Sequence, residues 1–150
     1  MIVSRGMRAL AFASLLALLA PAAAQPAGIE GLWQTVDERT GRPDGLVRIA
    51  ARGEGYDATV VAVFSPPAPS ANPLCEDCEG ELRGRPVLGL AIARGLRRDG
   101  DGWTGEILDP NDGRTYRCRL RLSPDGRRLE VRGYVGIPLF GRTEVWTRRE

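Results

Sequence analysis

The sequence contains no histidine and no lysine among its 150 residues, and each absence limits the chemistry available to it. Without histidine, Ser–His or Cys–His catalysis and histidine-ligated metal sites are excluded. Because every basic residue is an arginine, a single arginine is weak evidence for a special role. Paired carboxylates remain: Asp37 with Glu38, and Asp109 with Asp112. Both pairs lie in turn-like segments, where aspartate is expected for backbone reasons. We therefore assign no catalytic residue and favour binding over enzymatic activity.

The chain also has no long apolar run outside its first residues. Two arginines precede the apolar run Ala9–Ala20, and the small residues 22–24 fit a signal-peptidase site. This pattern predicts a signal peptide at 1–24, cleaved after Ala24, and a periplasmic or secreted mature domain at 25–150. No second apolar run follows, so we expect no transmembrane segment in the mature chain.

The predicted mature chain lacks net charge as well. All 19 acidic residues lie beyond position 24, and two of the 21 arginines lie before it, which leaves 19 of each sign. Nucleic-acid-binding proteins usually carry a basic face or stripe. Here arginines alternate with acids, so we expect no nucleic-acid partner.

Helical periodicity is almost absent, whereas short apolar or alternating segments recur throughout. Between them lie turn sequences rich in Gly, Asp and Asn, several short enough for hairpins. A meander of eight strands can close into a barrel and so remove its exposed edges. We predict an all-β fold, a single antiparallel up-and-down β-barrel. Its strands are expected at 29–36, 45–51, 56–64, 87–93, 102–108, 114–122, 128–135 and 142–148.

The clearest strand is 114–122, where Tyr116, Cys118 and two leucines share one face and three arginines share the other. This period of two is typical of a half-buried strand, so Cys118 should point inward. One connection, 65–86, is long and contains five prolines. A loop of that length in a compact domain is usually functional or disordered, and this one could cover a barrel mouth as a lid.

The long connection carries Cys75 and Cys78 among acidic residues. A zinc site normally has four Cys or His ligands, and these residues with Cys118 supply three, so carboxylates would have to complete the set and a metal site is disfavoured. A redox pair would place its first thiolate at a helix N-terminus, and no helix is visible here. In an oxidising compartment a disulfide between Cys75 and Cys78 is favoured, as a local staple that leaves Cys118 as a free thiol. A bridge from Cys118 to either loop cysteine is the alternative.

Four ordered motifs resemble the bacterial secreted proteins of domain-of-unknown-function family 2147 (DUF2147). They are GLWQTVDERTG, PVLGLAIARGL, WTGEILDPNDGRTY and LEVRGYVGIPLFGRTEVWTR, which together span Gly31 to Arg148. The resemblance implies a lipocalin-like (calycin-type) barrel and no established activity. Gly31-x-Trp33 is also similar to the opening of lipocalins, in which a basic residue covers the tryptophan. Arg148 or Arg149 could do so here through a cation–π contact.

Two functions follow as hypotheses. In the first, the barrel binds one small apolar or amphipathic molecule without a cofactor or metal. In the second, a filled barrel serves as an envelope scaffold or protein-binding module, with the apolar tip at Leu139 and Phe140 as its contact. For Arg132 and Tyr134 a polar outer face shared with Glu130 is the preferred interpretation, and the alternative is that both point into a pocket and orient an acidic ligand. The candidate ligand-binding residues are Trp33, Trp103, Tyr116, Arg132, Tyr134 and Phe140.

Overall fold

The computed structural model describes residues 28–64 and 72–150. The signal peptide predicted at 1–24 and the first part of the long connection, 65–71, lie outside these residues. In the described ranges the helical turns are two short 3₁₀ segments, Gly80–Leu82 and Pro138–Phe140. No helix within those ranges has the length and apolar character needed to cross a membrane.

Eight antiparallel strands form a closed barrel in which the spatial order is the sequence order. Closure is made between the first and last strands, where Trp33 lies opposite Arg148 and Gln34 opposite Thr147. The predicted fold class and strand number are therefore confirmed. The strands are β1 (Gly31–Val36), β2 (Pro43–Arg52), β3 (Gly55–Val63), β4 (Ala91–Asp99), β5 (Gly102–Asp109), β6 (Arg114–Leu122), β7 (Arg128–Tyr134) and β8 (Arg142–Arg148).

Strand β4 was predicted in the wrong place. Its predicted range, 87–93, begins and ends too early, since the strand is Ala91–Asp99. The backbone still turns at Leu90, whose amide donates to the Val87 carbonyl at 3.0 Å. The strand then runs through Gly95, whose φ of 63° lies in the left-handed region. The pairing of β4 with both neighbours shifts around this position. A glycine-centred bulge thus lets the strand continue where the sequence indicates a break.

The alternation predicted for β6 is present. Cys118 and Leu120 are buried, Tyr116 is half-buried, and Arg117 and Arg121 are exposed. The barrel wall therefore has an apolar inner face and a charged outer face along this strand, as a half-solvated antiparallel sheet requires.

The two halves of the barrel differ in how they are filled. The half nearest the β2–β3, β4–β5 and β6–β7 turns, called the closed half here, is packed solid. Its largest inward side chains are almost fully buried: Trp33, Ile49, Leu96, Trp103, Leu120 and Leu129. The opposite half, called the open half, lies under the β1–β2, β3–β4, β5–β6 and β7–β8 connections.

Arg148 ties the closed end together. Its guanidinium lies 4.3 Å from the centre of the Trp33 ring. It also donates hydrogen bonds to the carbonyls of Gly28 (2.7 Å), Glu30 (2.6 Å) and Gly126 (2.6 Å). An added Cβ at Gly31 would lie 2.7 Å from the Arg148 Nη1 atom, so the glycine leaves room for this side chain. One arginine thereby joins the segment before β1, the last strand and the β6–β7 turn.

Candidate functional site

A cavity of about 650 Å³ occupies the open half of the barrel. Its buried wall is apolar, formed by Val47, Val60, Ile92, Val131 and Trp146 from five different strands. Volumes of roughly 300–1,000 Å³ with mostly apolar walls are usual for small-molecule sites. The side chains of the open half therefore leave space for a small ligand.

Gly133 is one reason that the space exists. This residue of β7 lies in the cavity wall opposite Cys118. A Cβ added at Gly133 would meet only the Tyr116 side chain, at an ordinary van der Waals distance of 3.6 Å. The position could hold a larger side chain, so its glycine contributes to the open volume.

The mouth of the cavity is strongly acidic. Seven carboxylates and two guanidiniums line the cavity, a net of five negative charges in a domain whose acids and arginines balance. The acidic members are Asp37, Glu38, Asp44, Glu76, Asp77, Asp109 and Glu144, and the basic members are Arg39 and Arg142.

Arg142 is held by two of these acids. Its guanidinium lies 2.9 Å from Glu38 and 3.5 Å from Asp109, and 5.7 Å from the centre of the Tyr116 ring. Burial opposes its charge, yet Glu38, Tyr116 and Asp109 together raise the pKa of Arg142 above its usual value. Arg142 thus stays charged, but Glu38 and Asp109 compensate its charge, so little positive potential is left for a ligand.

Asp44 and Glu144 sit in the same mouth without an arginine partner among the described residues. The Thr35 hydroxyl donates to Asp44, and the Trp146 indole N–H donates to Glu144 at 2.8 Å. Burial raises the pKa of both carboxyls, and neighbouring carboxylates, with Asp109 acting on both, raise it further. Each is therefore a partly desolvated acid surrounded by like charge.

The long connection contributes to the rim of the cavity. Cys75 and Cys78 form a disulfide, as expected from the sequence, and both are buried. Between them the chain packs closely on the β5–β6 turn, since a Cβ added at Gly113 would lie 2.0 Å from the Asp77 carbonyl oxygen. Pro73, Leu74, Glu76 and Asp77 line the cavity. The described part of the connection thus stands at the mouth.

Cys118 takes no part in this linkage. It is a free, buried thiol, and burial raises its pKa to about 12. The alternative bridge from Cys118 to a loop cysteine is therefore wrong.

The sequence from 31 to 148 matches the model of a family described as "Uncharacterized protein conserved in bacteria (DUF2147)". The chain belongs to the DUF2147 family. A similar solved structure is that of protein HP1028 from the human pathogen Helicobacter pylori, described as belonging to the lipocalin family. It is 20% identical, the similarity covers 82% of this chain and 84% of that chain, and the TM-score is 0.69. No curated protein matches this chain.

This DUF2147 barrel brings one of the six candidate ligand residues, Tyr116, into the cavity wall. The Tyr116 hydroxyl donates to Asp112 at 2.5 Å, and this bond raises the pKa of the tyrosine. Trp33 and Trp103 lie in the closed half, where Arg98 stacks 4.4 Å from the centre of the Trp103 ring.

The other three candidates lie around the β7–β8 connection, outside the cavity lining. Arg132 donates to the Pro138 carbonyl at 2.6 Å and to the Thr143 hydroxyl at 2.7 Å, so it holds this connection in place. Tyr134 is half-buried near the end of β7, and Phe140 is 78% exposed at the loop tip.

Sequence reasoning missed Asp44 and Glu144 as members of the site. Asp44 lies within "RPDG", which has the composition of a turn. Glu144 stands two residues before Trp146 and six after Pro138. Because β-strand side chains alternate, Glu144 shares the face of Trp146, and this period could have placed it inside.

Within 28–64 and 72–150, no group of three or more Cys, Asp or Glu side chains has a geometry that could hold a metal ion. The site is therefore described by its cavity, its apolar wall and its acidic mouth.

Proposed function

We propose that this DUF2147 protein binds one small molecule, apolar in its body and polar at one end, within the open half of the barrel. The observation that carries the proposal is the cavity of about 650 Å³, with an apolar wall and a charged mouth. An amphipathic molecule fits this arrangement because its apolar part would cover the wall while its polar end stays near the mouth.

The division of the barrel into two halves supports this proposal. Small eight-stranded barrels are either filled by side chains or hold one small ligand. Here the closed half supplies the packed core that stabilises the fold. A filled scaffold would extend that packing to both ends. The likeness to a protein of the lipocalin family is consistent with a ligand-holding barrel.

We further propose that the protein is exported from the cytoplasm. The signal peptide expected at 1–24 would deliver the barrel to the periplasm or the exterior, where a disulfide such as Cys75–Cys78 forms and persists. A carrier or sensor of a small amphipathic molecule would then meet its ligand outside the cytoplasm.

The β7–β8 connection supports a second candidate function, contact with an envelope protein. Leu139 and Phe140 are 75% and 78% exposed at its tip, and Val135 and Ile137 are exposed beside them. Clustered exposed apolar side chains often mark an interaction site. Replacing Leu139 and Phe140 with serine would abolish such a contact and leave ligand binding in the barrel unchanged.

Binding can be tested with N-phenyl-1-naphthylamine, a neutral probe whose fluorescence rises in apolar surroundings. We expect saturable binding with one probe per chain. Substitution Gly133→Leu, which directs a side chain into the cavity, should weaken probe binding at least tenfold. Substitution Glu130→Leu adds the same side chain to the same strand at an exposed position and serves as the matched control. Equal binding by wild type and Gly133→Leu would contradict the proposal.

A further inference from the structure

We propose that the polar end of the ligand is a positively charged group, such as an organic ammonium, and that Asp44 and Glu144 receive it. This inference rests on the proposed function and specifies its ligand class. It is carried by the cavity itself: an apolar chamber whose mouth holds two inward carboxylates for which the described chain supplies no cation.

Within the described residues, the ion pairs of the mouth leave four of its seven acids without an arginine. Glu76 and Asp77 are exposed on the long connection, whereas Asp44 and Glu144 are half-buried inside the barrel. Arg142 is shared by Glu38 and Asp109, at 2.9 and 3.5 Å. Arg39, the other basic residue of the lining, lies 3.6 Å from Asp37 at the exposed rim. Asp44 and Glu144 have no ion pair in the described part of the chain. Both arginines are thus matched, and the excess charge of the mouth is negative.

Neutral donors orient the two carboxylates without neutralising them. The Thr35 hydroxyl fixes Asp44, and the Trp146 indole N–H fixes Glu144 at 2.8 Å. Burying a carboxylate without a countercharge is unfavourable, and replacing such a group with a neutral one is often stabilising. The two acids therefore cost stability in the unliganded barrel, and a bound cation would offset that cost.

The negative charge of the mouth also disfavours a ligand with an anionic or a neutral head group. An anion entering the mouth would meet five excess negative charges among the lining side chains. A neutral head group would leave both carboxylates uncompensated. Burial raises the pKa of Asp44 and Glu144, and neighbouring carboxylates raise it further, so both factors disfavour their negative charge in the unliganded barrel. A cation is the one charge type that would compensate these two carboxylates.

An organic cation fits the site better than a metal ion. No group of acids in the described ranges has metal-binding geometry. The Trp146 side chain joins the two parts of the site, because its N–H orients Glu144 while the residue also lines the apolar cavity. Aromatic rings attract organic cations through their faces. A ligand with an ammonium head and an apolar body would use both features at once.

Competition against N-phenyl-1-naphthylamine can test the inference with three probes that share a decyl chain. They are decyltrimethylammonium, decyl glucoside and decyl sulfate, each used below its micelle concentration. The quaternary ammonium keeps its charge at every pH, so any titration of binding belongs to the protein. We expect decyltrimethylammonium to bind about tenfold more tightly than decyl glucoside, since a Coulomb gain of about 1.4 kcal/mol is a factor of ten. Decyl sulfate should bind weakest.

The double variant Asp44→Asn/Glu144→Gln should remove this preference. Both replacements keep the shape of the side chain and an oxygen that accepts the Thr35 or Trp146 donor. We expect decyltrimethylammonium to lose about tenfold in affinity while decyl glucoside and the neutral probe are unchanged. Glu130→Gln, which removes one acid from the exposed outer face of β7, should keep the full preference.

The outcomes separate this inference from the function on which it rests. Equal affinity for the three decyl probes, or a cation preference that persists in the double variant, overturns the cationic ligand and leaves cavity binding intact. If neither the neutral probe nor any decyl probe binds, the proposed function and this inference both fail. A preference present in wild type and Glu130→Gln but absent in the double variant supports the assignment.

Discussion

Replacing Arg148 with alanine should destabilise the barrel more than any other single arginine change at its closed end. This side chain donates to three backbone carbonyls, of Gly28, Glu30 and Gly126, at 2.6 to 2.7 Å. It also stacks 4.3 Å from the Trp33 ring centre. Its loss would release the segment before β1 and the β6–β7 turn together.

The expected loss in free energy of unfolding can be estimated from these contacts. Hydrogen bonds to charged groups contribute about 1.5–3 kcal/mol each when buried, and an exposed cation–π contact about 0.5–1 kcal/mol. The Arg148 side chain is only partly buried, and water can replace the guanidinium at the exposed carbonyls. We therefore expect Arg148→Ala to lower the free energy of unfolding by about 2–4 kcal/mol. With a urea dependence of about 2 kcal/mol per molar, the midpoint should fall by about 1–2 M.

Urea denaturation followed by tryptophan fluorescence measures this change, and Arg149 offers a matched control. Arg149 is exposed, and its backbone amide, which the substitution keeps, donates to the Leu32 carbonyl at 2.8 Å. Arg149→Ala should change the free energy of unfolding by less than about 0.5 kcal/mol. Equal effects of the two substitutions would refute the account of the closed end. Binding of the neutral probe should stay unchanged in folded Arg148→Ala, because the cavity lies in the opposite half.

Three further predictions concern the mouth and the cysteines. The raised pKa of Asp44 and Glu144 means that the folded state binds more protons between their ordinary and raised values, so the free energy of unfolding falls as pH rises through that window. At a pH above that window, Asp44→Asn and Glu144→Gln should each raise the free energy of unfolding in urea melts, and the gain should disappear below the ordinary carboxyl pKa of about 4; a lower free energy of unfolding in the high-pH melts would contradict the sign. Cys118 should resist N-ethylmaleimide in the folded protein and react only after unfolding, because it is buried with a pKa of about 12; rapid labelling would contradict this. Replacing both Cys75 and Cys78 with serine should cost no more than about 2 kcal/mol, since the bridge closes a loop with a sequence separation of 3; complete unfolding would show a larger role.

The strands could be predicted because their signals are local. Alternation of apolar and charged residues and turn sequences rich in Gly, Asp and Asn are enough to place seven strands nearly correctly. The remaining strand, β4, was misplaced because a glycine at position 95 suggests the end of a strand. In the barrel, Gly95 has a positive φ and forms a bulge within the strand. The sequence does not distinguish a glycine that ends a strand from one that bends it.

The cavity could not be predicted because it depends on which inward positions are filled by neighbours. Gly105 and Gly133 both lie opposite Cys118, on its two neighbouring strands. A Cβ at Gly105 would lie 2.8 Å from the Leu96 side chain, so that space is already occupied. A Cβ at Gly133 would meet only Tyr116 at an ordinary distance, so the space there is open. The same residue type thus marks dense packing on one side of Cys118 and open volume on the other.

The acidic mouth could not be predicted from the sequence either. Glu38 and Asp109 are 71 positions apart, yet Arg142 contacts both. Acids from separate connections meet only after the barrel closes, so the balanced charge of residues 25–150 gives no sign of a strongly negative mouth. Local turn chemistry explained each acid alone and gave no reason to group them.

The central claim is that a small molecule binds inside the open half, and the most direct test is to map its position by nuclear magnetic resonance. Amide spectra of the ¹⁵N-labelled protein would be recorded while N-phenyl-1-naphthylamine is added. We predict that the largest shifts fall on the cavity wall, at Val47, Val60, Ile92 and Val131, with little change at Leu129 in the closed half. Shifts confined to the exposed tip around Phe140, or no shifts at all, would contradict the account.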